Sequence, residues 1–147
     1  MIAHFDRHEW SYRADHEELL IRAGIKGDSC SFEFVAFVGE DDDIFQVIAL
    51  VPVLIPEGSR PAIAEAIARI NFGLKIGKFE LDYDEGRLRF HIGQILAGGQ
   101  LDDEIIRHAI GCCVSMVDRY LPAVLSVIYG NELPKDAVGF AEASLVD

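Results

Sequence analysis

Phe79-Glu80-Leu81-Asp82-Tyr83 and Arg87-Leu88-Arg89-Phe90-His91-Ile92, joined by Asp84-Glu85-Gly86, form the stretch from which the fold is read. Phe79, Leu81 and Tyr83 alternate with Glu80 and Asp82, and Leu88, Phe90 and Ile92 alternate with Arg87, Arg89 and His91. Two period-two runs on either side of a glycine-bearing turn make a β-hairpin. A turn centred on Glu85-Gly86 pairs Tyr83 with Leu88, Leu81 with Phe90 and Phe79 with Ile92, and sets Asp82 opposite Arg89 and Glu80 opposite His91. A slip of one residue would invert every side chain, so the apolar face fixes which residues point to the core.

Upstream, Leu19, Ile21, Ala23 and Ile25 alternate with Arg22, Gly24 and Lys26, a strand ended by Gly27-Asp28. From Cys30 to Val38, Phe32, Phe34, Ala36 and Val38 take one face, and Glu33, Val35 and Phe37 the other. The acidic turn Gly39-Glu40-Asp41-Asp42-Asp43 leads to a third strand, Ile44 to Val53, apolar on both faces. After Pro56-Glu57-Gly58, Ser59 suits an N-cap and Pro61 a first helical turn, and Ile63, Ile67, Ile70 and Leu74 mark one helical face that Gly73 ends near Asn71-Phe72. Beyond the hairpin, Asp102 caps a long helix with Asp103 and Glu104 in its first turn, running to about Tyr129 before Gly130. Its apolar stripe is Ile106, Ile110, Cys113, Val117, Tyr120 or Leu121, Val124 and Ile128. A short terminal helix is expected from Pro134 to Leu145, and a short N-terminal one from the spacing of Ile2, Phe5 and Trp10.

At 147 residues, half of them hydrophobic, the chain is expected to be a single domain, residues 1–147, with a core that needs neither disulfide nor metal. A net charge of −12 repels phosphate backbones and anionic lipid, so neither nucleic acid nor membrane is an expected partner. The longest apolar stretch, Ile44 to Ile55, falls short of the roughly 20 residues that span a bilayer. The opening Met1-Ile2-Ala3-His4-Phe5-Asp6-Arg7 has no secretory pattern, and the three cysteines read as free thiols, so a cytoplasmic location is expected.

The order helix-β-β-β-helix-β-β-helix fits an α+β domain of two layers, an antiparallel sheet under helices. The segments Ala68-Arg69-Ile70-Asn71-Phe72-Gly73, Gly77 to Phe90 and Met116-Val117-Asp118-Arg119-Tyr120-Leu121-Pro122-Ala123-Val124 resemble the YbjN family, bacterial proteins described as sensory-transduction regulators, over roughly Leu19 to Ala141. The resemblance implies a fold similar to type III secretion chaperones, which commonly dimerise and bind other proteins, and it brings no catalytic residues. The chain departs from the family pattern at Asp102-Asp103 and at Asn131-Glu132-Leu133-Pro134, where a Ser-Pro step is more usual.

Candidate chemistry is sparse. His4 and His8 stand four apart and would share a helical face, but two ligands do not close a metal site. His108 and Cys112 repeat that spacing, without the orienting third group of an activated nucleophile. These four residues would carry the alternative reading, a metal- or small-ligand-binding protein or enzyme. Glu40 to Asp43 lacks the ligand spacing of a calcium loop, and Gly73-Leu74-Lys75-Ile76-Gly77-Lys78 that of a phosphate loop. Glu80, Asp82, Arg87 and Arg89 read as cross-strand partners on a solvent face. The many aromatics leave room for an apolar small molecule between sheet and helix. No catalytic residue, cofactor or metal is expected.

The stronger signal is surplus apolar surface. Helices cover one face of the sheet, whereas the strands around Val35 and Phe37 and around Phe45 and Val47 are apolar on both. Which alternation of the third strand points away from the helices, Phe45-Val47-Ala49-Val51 or Ile44-Ile48-Leu50, is open from the sequence. The expected function is a non-enzymatic protein-binding module, chaperone-like or regulatory, with Val35, Phe37, Phe45 and Val47 at the interface and a homodimer as the simplest cover, the alternative being the terminal segments folded over that face.

Overall fold

The computed structural model describes residues 12–15, 20–27, 30–39, 43–98 and 101–143. Its strands are β1 (Tyr12–Asp15), β2 (Leu20–Lys26), β3 (Ser31–Val38), β4 (Ile44–Leu54), β5 (Lys78–Leu81) and β6 (Arg87–Ile95), and its helices are α1 (Arg60–Phe72), α2 (Asp103–Tyr129) and α3 (Pro134–Ala143). The strands form one six-stranded sheet in the order β1-β2-β3-β4-β6-β5, every neighbouring pair antiparallel. The two-layer α+β architecture is as expected, with β1 as an additional strand paired to β2. The expected N-terminal helix lies outside the described residues, as does the end of the terminal helix past Ala143.

Alternation decides the core. Phe34, Ala49, Phe90 and Phe79 stand in register across β3, β4, β6 and β5, and Ala36, Val47 and Ile92 form the next row. Alanines between the phenylalanines leave room for helical side chains to enter the sheet. The stripe of α2 fills it, with Ile106, Ile110, Cys113, Val117, Tyr120 and Val124 all buried. Phe79 packs edge-on against both Phe90 and Tyr120, with centroids 4.9 and 5.7 Å apart. Among the described residues α2 is the one helix long and apolar enough to cross a membrane, but its apolar stripe is the surface packed into this core.

Helix ends follow the local chemistry. The Asp102 side chain accepts from the Ile105 N–H at 2.9 Å, and Gly130 ends α2 by donating to the Ser126 carbonyl. Ser59 occupies the N-cap of α1 as expected, but its side chain makes no capping bond. Pro52 has no N–H for the ladder, and the pairing of β4 with β6 shifts between Leu50 and Leu54.

The hairpin register differs from the expected one by two residues. Leu81 pairs with Leu88, Glu80 with Arg89, Phe79 with Phe90 and Lys78 with His91. Asp82, expected opposite Arg89, instead closes the loop: its carboxylate accepts from the N–H groups of Asp84 and Glu85 at 3.0 and 3.1 Å, and its carbonyl from Gly86 N–H at 2.7 Å. Asp82 and Tyr83 are thereby drawn into a longer loop, so the facing residues stay on their faces and exchange partners.

Two side chains of α1 hold this hairpin. The Arg60 guanidinium donates to the carbonyls of Ile55, Tyr83 and Asp84, at 3.1, 3.1 and 2.8 Å. The Asn71 amide donates to the Phe79 carbonyl at 3.0 Å and accepts the Phe79 N–H at 2.8 Å, copying a strand's pair of bonds on the outer edge of β5.

Candidate functional site

The face of the sheet turned away from the helices carries Val35 and Phe37 of β3 and Ile48 and Leu50 of β4. None of the four belongs to the buried core or packs against it. Val35, Phe37 and Ile48 are half-buried, and Leu50 is 39% exposed. One ladder row crosses the face as Arg22, Val35, Ile48, His91 and Lys78, and the next places Leu50 beside Arg89 and Glu80. Phe45 and Val47, expected at a protein interface, belong instead to the core. They pair with Val38 and Ala36, whose side chains face the helices, and both are 0% exposed. The strand alternation that points outward is the one through Ile48 and Leu50.

Polar groups line one flank of this face. Glu80 accepts from Arg89 Nε at 2.7 Å and lies 3.6 Å from the Lys78 amine. His91 places Nε2 2.8 Å from the Gln46 side-chain oxygen, while its buried Nδ1 has no hydrogen-bond partner and faces Glu80 at 3.7 Å. Burial holds the His91 pKa below its ordinary value, aided by Lys78 and Arg89 and opposed by Glu80. The imidazole is therefore neutral at pH 7. Glu80 is the cross-strand partner of Arg89, in place of the expected Asp82, while Arg87 pairs with Glu85 at 3.0 Å.

A second concavity lies between β6 and the first half of α2. It is about 230 Å³ in volume, walled mainly by Ile76, Ile92, Ile105 and Ala109, with His108 and Cys112 also lining it. The two residues singled out by their helical spacing thus share a cavity. Glu104 sits 3.3 Å from His108 Nε2 and also pairs with Arg107. Burial raises the Cys112 pKa, so its sulfur is a protonated thiol, the opposite of an activated nucleophile. Among the described residues no three His, Cys, Asp or Glu side chains are grouped to hold a metal ion. His4 and His8 lie outside the described residues.

The family model YbjN, described as "Putative bacterial sensory transduction regulator", matches residues 1–126. This chain belongs to the YbjN family. The match begins before the segments that carry the resemblance in the sequence and ends within α2. No curated protein sequence matches the chain. Among solved structures, the YbjN chain is similar to a chain of the ExsC–ExsE complex, a type III secretion chaperone complex, at 16% identity and a TM-score of 0.57, over 79% of this chain and 84% of that one. That likeness is one of fold: the YbjN domain is built like a type III secretion chaperone.

Sequence reasoning found the outward pair on β3 and missed that on β4 in this YbjN domain. The signal was slight: Gln46, the one polar residue of β4, shares its alternation with Ile48 and Leu50. Asn71 and Arg60 were also missed as clamps, because their partners are backbone groups, which leave no mark in composition.

Proposed function

We propose that this YbjN domain is a non-enzymatic protein-binding module of regulatory or chaperone-like kind, which takes another protein chain on the outward face of its sheet. The observation that carries the reading is the set Val35, Phe37, Ile48 and Leu50, apolar side chains on one face that no described core residue covers. An apolar patch of this kind marks an interface. The regulator family and the chaperone-like neighbour fit a protein-binding role, and a cytoplasmic location suits the domain's free thiols. A homodimer through this face is one way to cover it. Sedimentation velocity and size exclusion across a wide concentration range, with and without crosslinked partners recovered from the source cells, test the proposal. Ile48→Asp should abolish whatever association the parent chain shows. A chain that stays monomeric and holds no partner, or whose associations ignore Ile48→Asp, overturns it.

A second reading is favoured by one observation, the shared cavity at His108 and Cys112. Its volume lies just below the roughly 300 Å³ where small-molecule sites begin, which suits a short apolar ligand with a polar end at Glu104 or His108. Native mass spectrometry of the purified chain checks this: a retained mass that Ala109→Phe expels supports it, and a bare chain overturns it.

A further inference from the structure

The outward face of the sheet is where this acidic molecule turns basic. The whole chain carries a net charge of −12. Yet among the residues whose side chains are described, the charged ones on that face are Arg22 and Lys26 on β2, Lys78 on β5 and Arg89 on β6, with Arg87 paired to Glu85, against Glu33 and Glu80. Glu80 is held by Arg89 and Lys78 at 2.7 and 3.6 Å, so it offsets charge without reaching outward. β4, in the middle, contributes no charge at all: its outward residues are Ile44, Gln46, Ile48 and Leu50. The result is an apolar track with basic residues on both sides. Arg22 and Arg89 stand on strands three ladder steps apart, about 14 Å at the usual strand spacing. That is about the reach of one extended segment with its side chains.

We propose that this face docks an acidic polypeptide segment bearing apolar side chains, with its carboxylates meeting Arg22 and Lys26 on one flank and Lys78 and Arg89 on the other while its apolar residues cover Val35, Phe37, Ile48 and Leu50. The inference rests on the outward face being the docking surface and adds the chemistry of what docks there. Charge selects the occupant. A second copy brings the same basic flanks against these, and like charges across an interface are repulsive. Nucleic acid matches the basic flanks but not the uncharged apolar centre, and it meets the negative field of the rest of the chain at long range. That field also slows an acidic protein at low salt, but it is screened beyond about 8 Å at physiological ionic strength, where the local basic flanks dominate.

Panning a displayed library of random peptides on the immobilised full-length chain tests this, with Ile48→Asp and the double variant Arg22→Glu/Arg89→Glu panned in parallel and circular dichroism confirming that each is folded. If Ile48→Asp fails to fold, Leu50→Asp, at a more exposed site, replaces it. The expected result is enrichment of peptides with net negative charge and regularly placed apolar residues, which bind the charge-reversed variant roughly tenfold more weakly and the Ile48→Asp variant not at all. Enriched peptides that are neutral or basic, an absence of enrichment, or binding unchanged by charge reversal overturns the acidic partner. Tighter binding of a single-stranded oligonucleotide than of any peptide does so as well, and so does a homodimer that Ile48→Asp breaks, which leaves the docking face itself standing. Peptides enriched equally on Ile48→Asp sink the docking face and, with it, this inference.

Discussion

Asn71 closes the outer edge of β5 with one side chain, satisfying both backbone groups of Phe79 that no strand pairs. An exposed strand edge is a template for unwanted pairing, and a side-chain amide blocks it while leaving α1 docked on the hairpin. Asn71→Ala removes a donor and an acceptor from a partly buried position, and we expect it to cost about 1–3 kcal/mol in urea denaturation. Asn71→Asp should recover little of this, because a carboxylate facing the Phe79 carbonyl has no proton to donate. His91 yields a prediction whose sign follows from its depressed pKa. The unfolded chain takes up its proton near the ordinary value of 6.5, while the folded imidazole resists it. Wherever the unfolded state binds more protons, stability rises with pH. His91 therefore contributes nothing above about 6.5, subtracts stability as pH falls below that value, and stops subtracting more beneath its folded pKa. The imidazole resonances should titrate below 6.5 by NMR, and His91→Gln should remove that share of the acid sensitivity measured by denaturation. An imidazole titrating at or above the ordinary value would sink the claim that burial dominates over Glu80.

At the scale of elements, the hairpin of β5 and β6 is held at its loop as much as along its ladder. Gly86 adopts φ +79°, and a Cβ there would run into the Ile55 carbonyl and approach the Arg60 guanidinium. Its own carbonyl accepts the Ile55 N–H at 2.8 Å. Gly86→Ala therefore meets both the left-handed backbone and the clash, and we expect about 1–3 kcal/mol of destabilisation. Arg60→Ala should cost less, since its carbonyl partners at Tyr83 and Asp84 remain open to water. Because the two residues touch, the double variant should cost measurably less than the sum, a coupling that a double-mutant cycle by denaturation reads directly. This loop also shows where sequence reading stopped. The alternation of Phe79 and Leu81 with Glu80, and of Leu88, Phe90 and Ile92 with their charged neighbours, fixed the faces, since side-chain direction has period two. It did not fix the partners, because a two-residue shift preserves every face, and the choice fell to the Asp82 carboxylate bonding within the loop. β1 escaped notice for another reason: Tyr12-Arg13-Ala14-Asp15 is too short and too polar to display a period. The long helix α2 was legible almost in full, because its cap at Asp102, its stripe and its stop at Gly130 are all local features.

For the whole molecule, the two faces of the sheet divide the labour, and the four residues singled out for an interface divide with them. β4 is apolar on both faces apart from Gln46, a single polar mark among Ile44, Ile48 and Leu50 that is too little by itself to say which alternation turns inward. Pairing across the turn to β3 decides it, by setting Phe45 against Val38 and Val47 against Ala36. Phe45→Ala should then behave as a core truncation, opening a cavity beneath α2 and costing about 3–5 kcal/mol in denaturant unfolding. Val35→Ala and Phe37→Ala remove side chains that lie outside the core formed by the described residues, so they should move the unfolding midpoint far less, and any effect of theirs should appear in association. The comparison is informative because all four are apolar, lie on neighbouring strands and would be scored alike by composition. Equal losses of stability across the four would mean that the outward face is as structural as the inward one, and the domain would have no spare apolar surface with which to hold a partner. A loss of stability confined to Phe45 and Val47, with binding lost at Val35 and Phe37, is the outcome that a one-sided core under three helices requires.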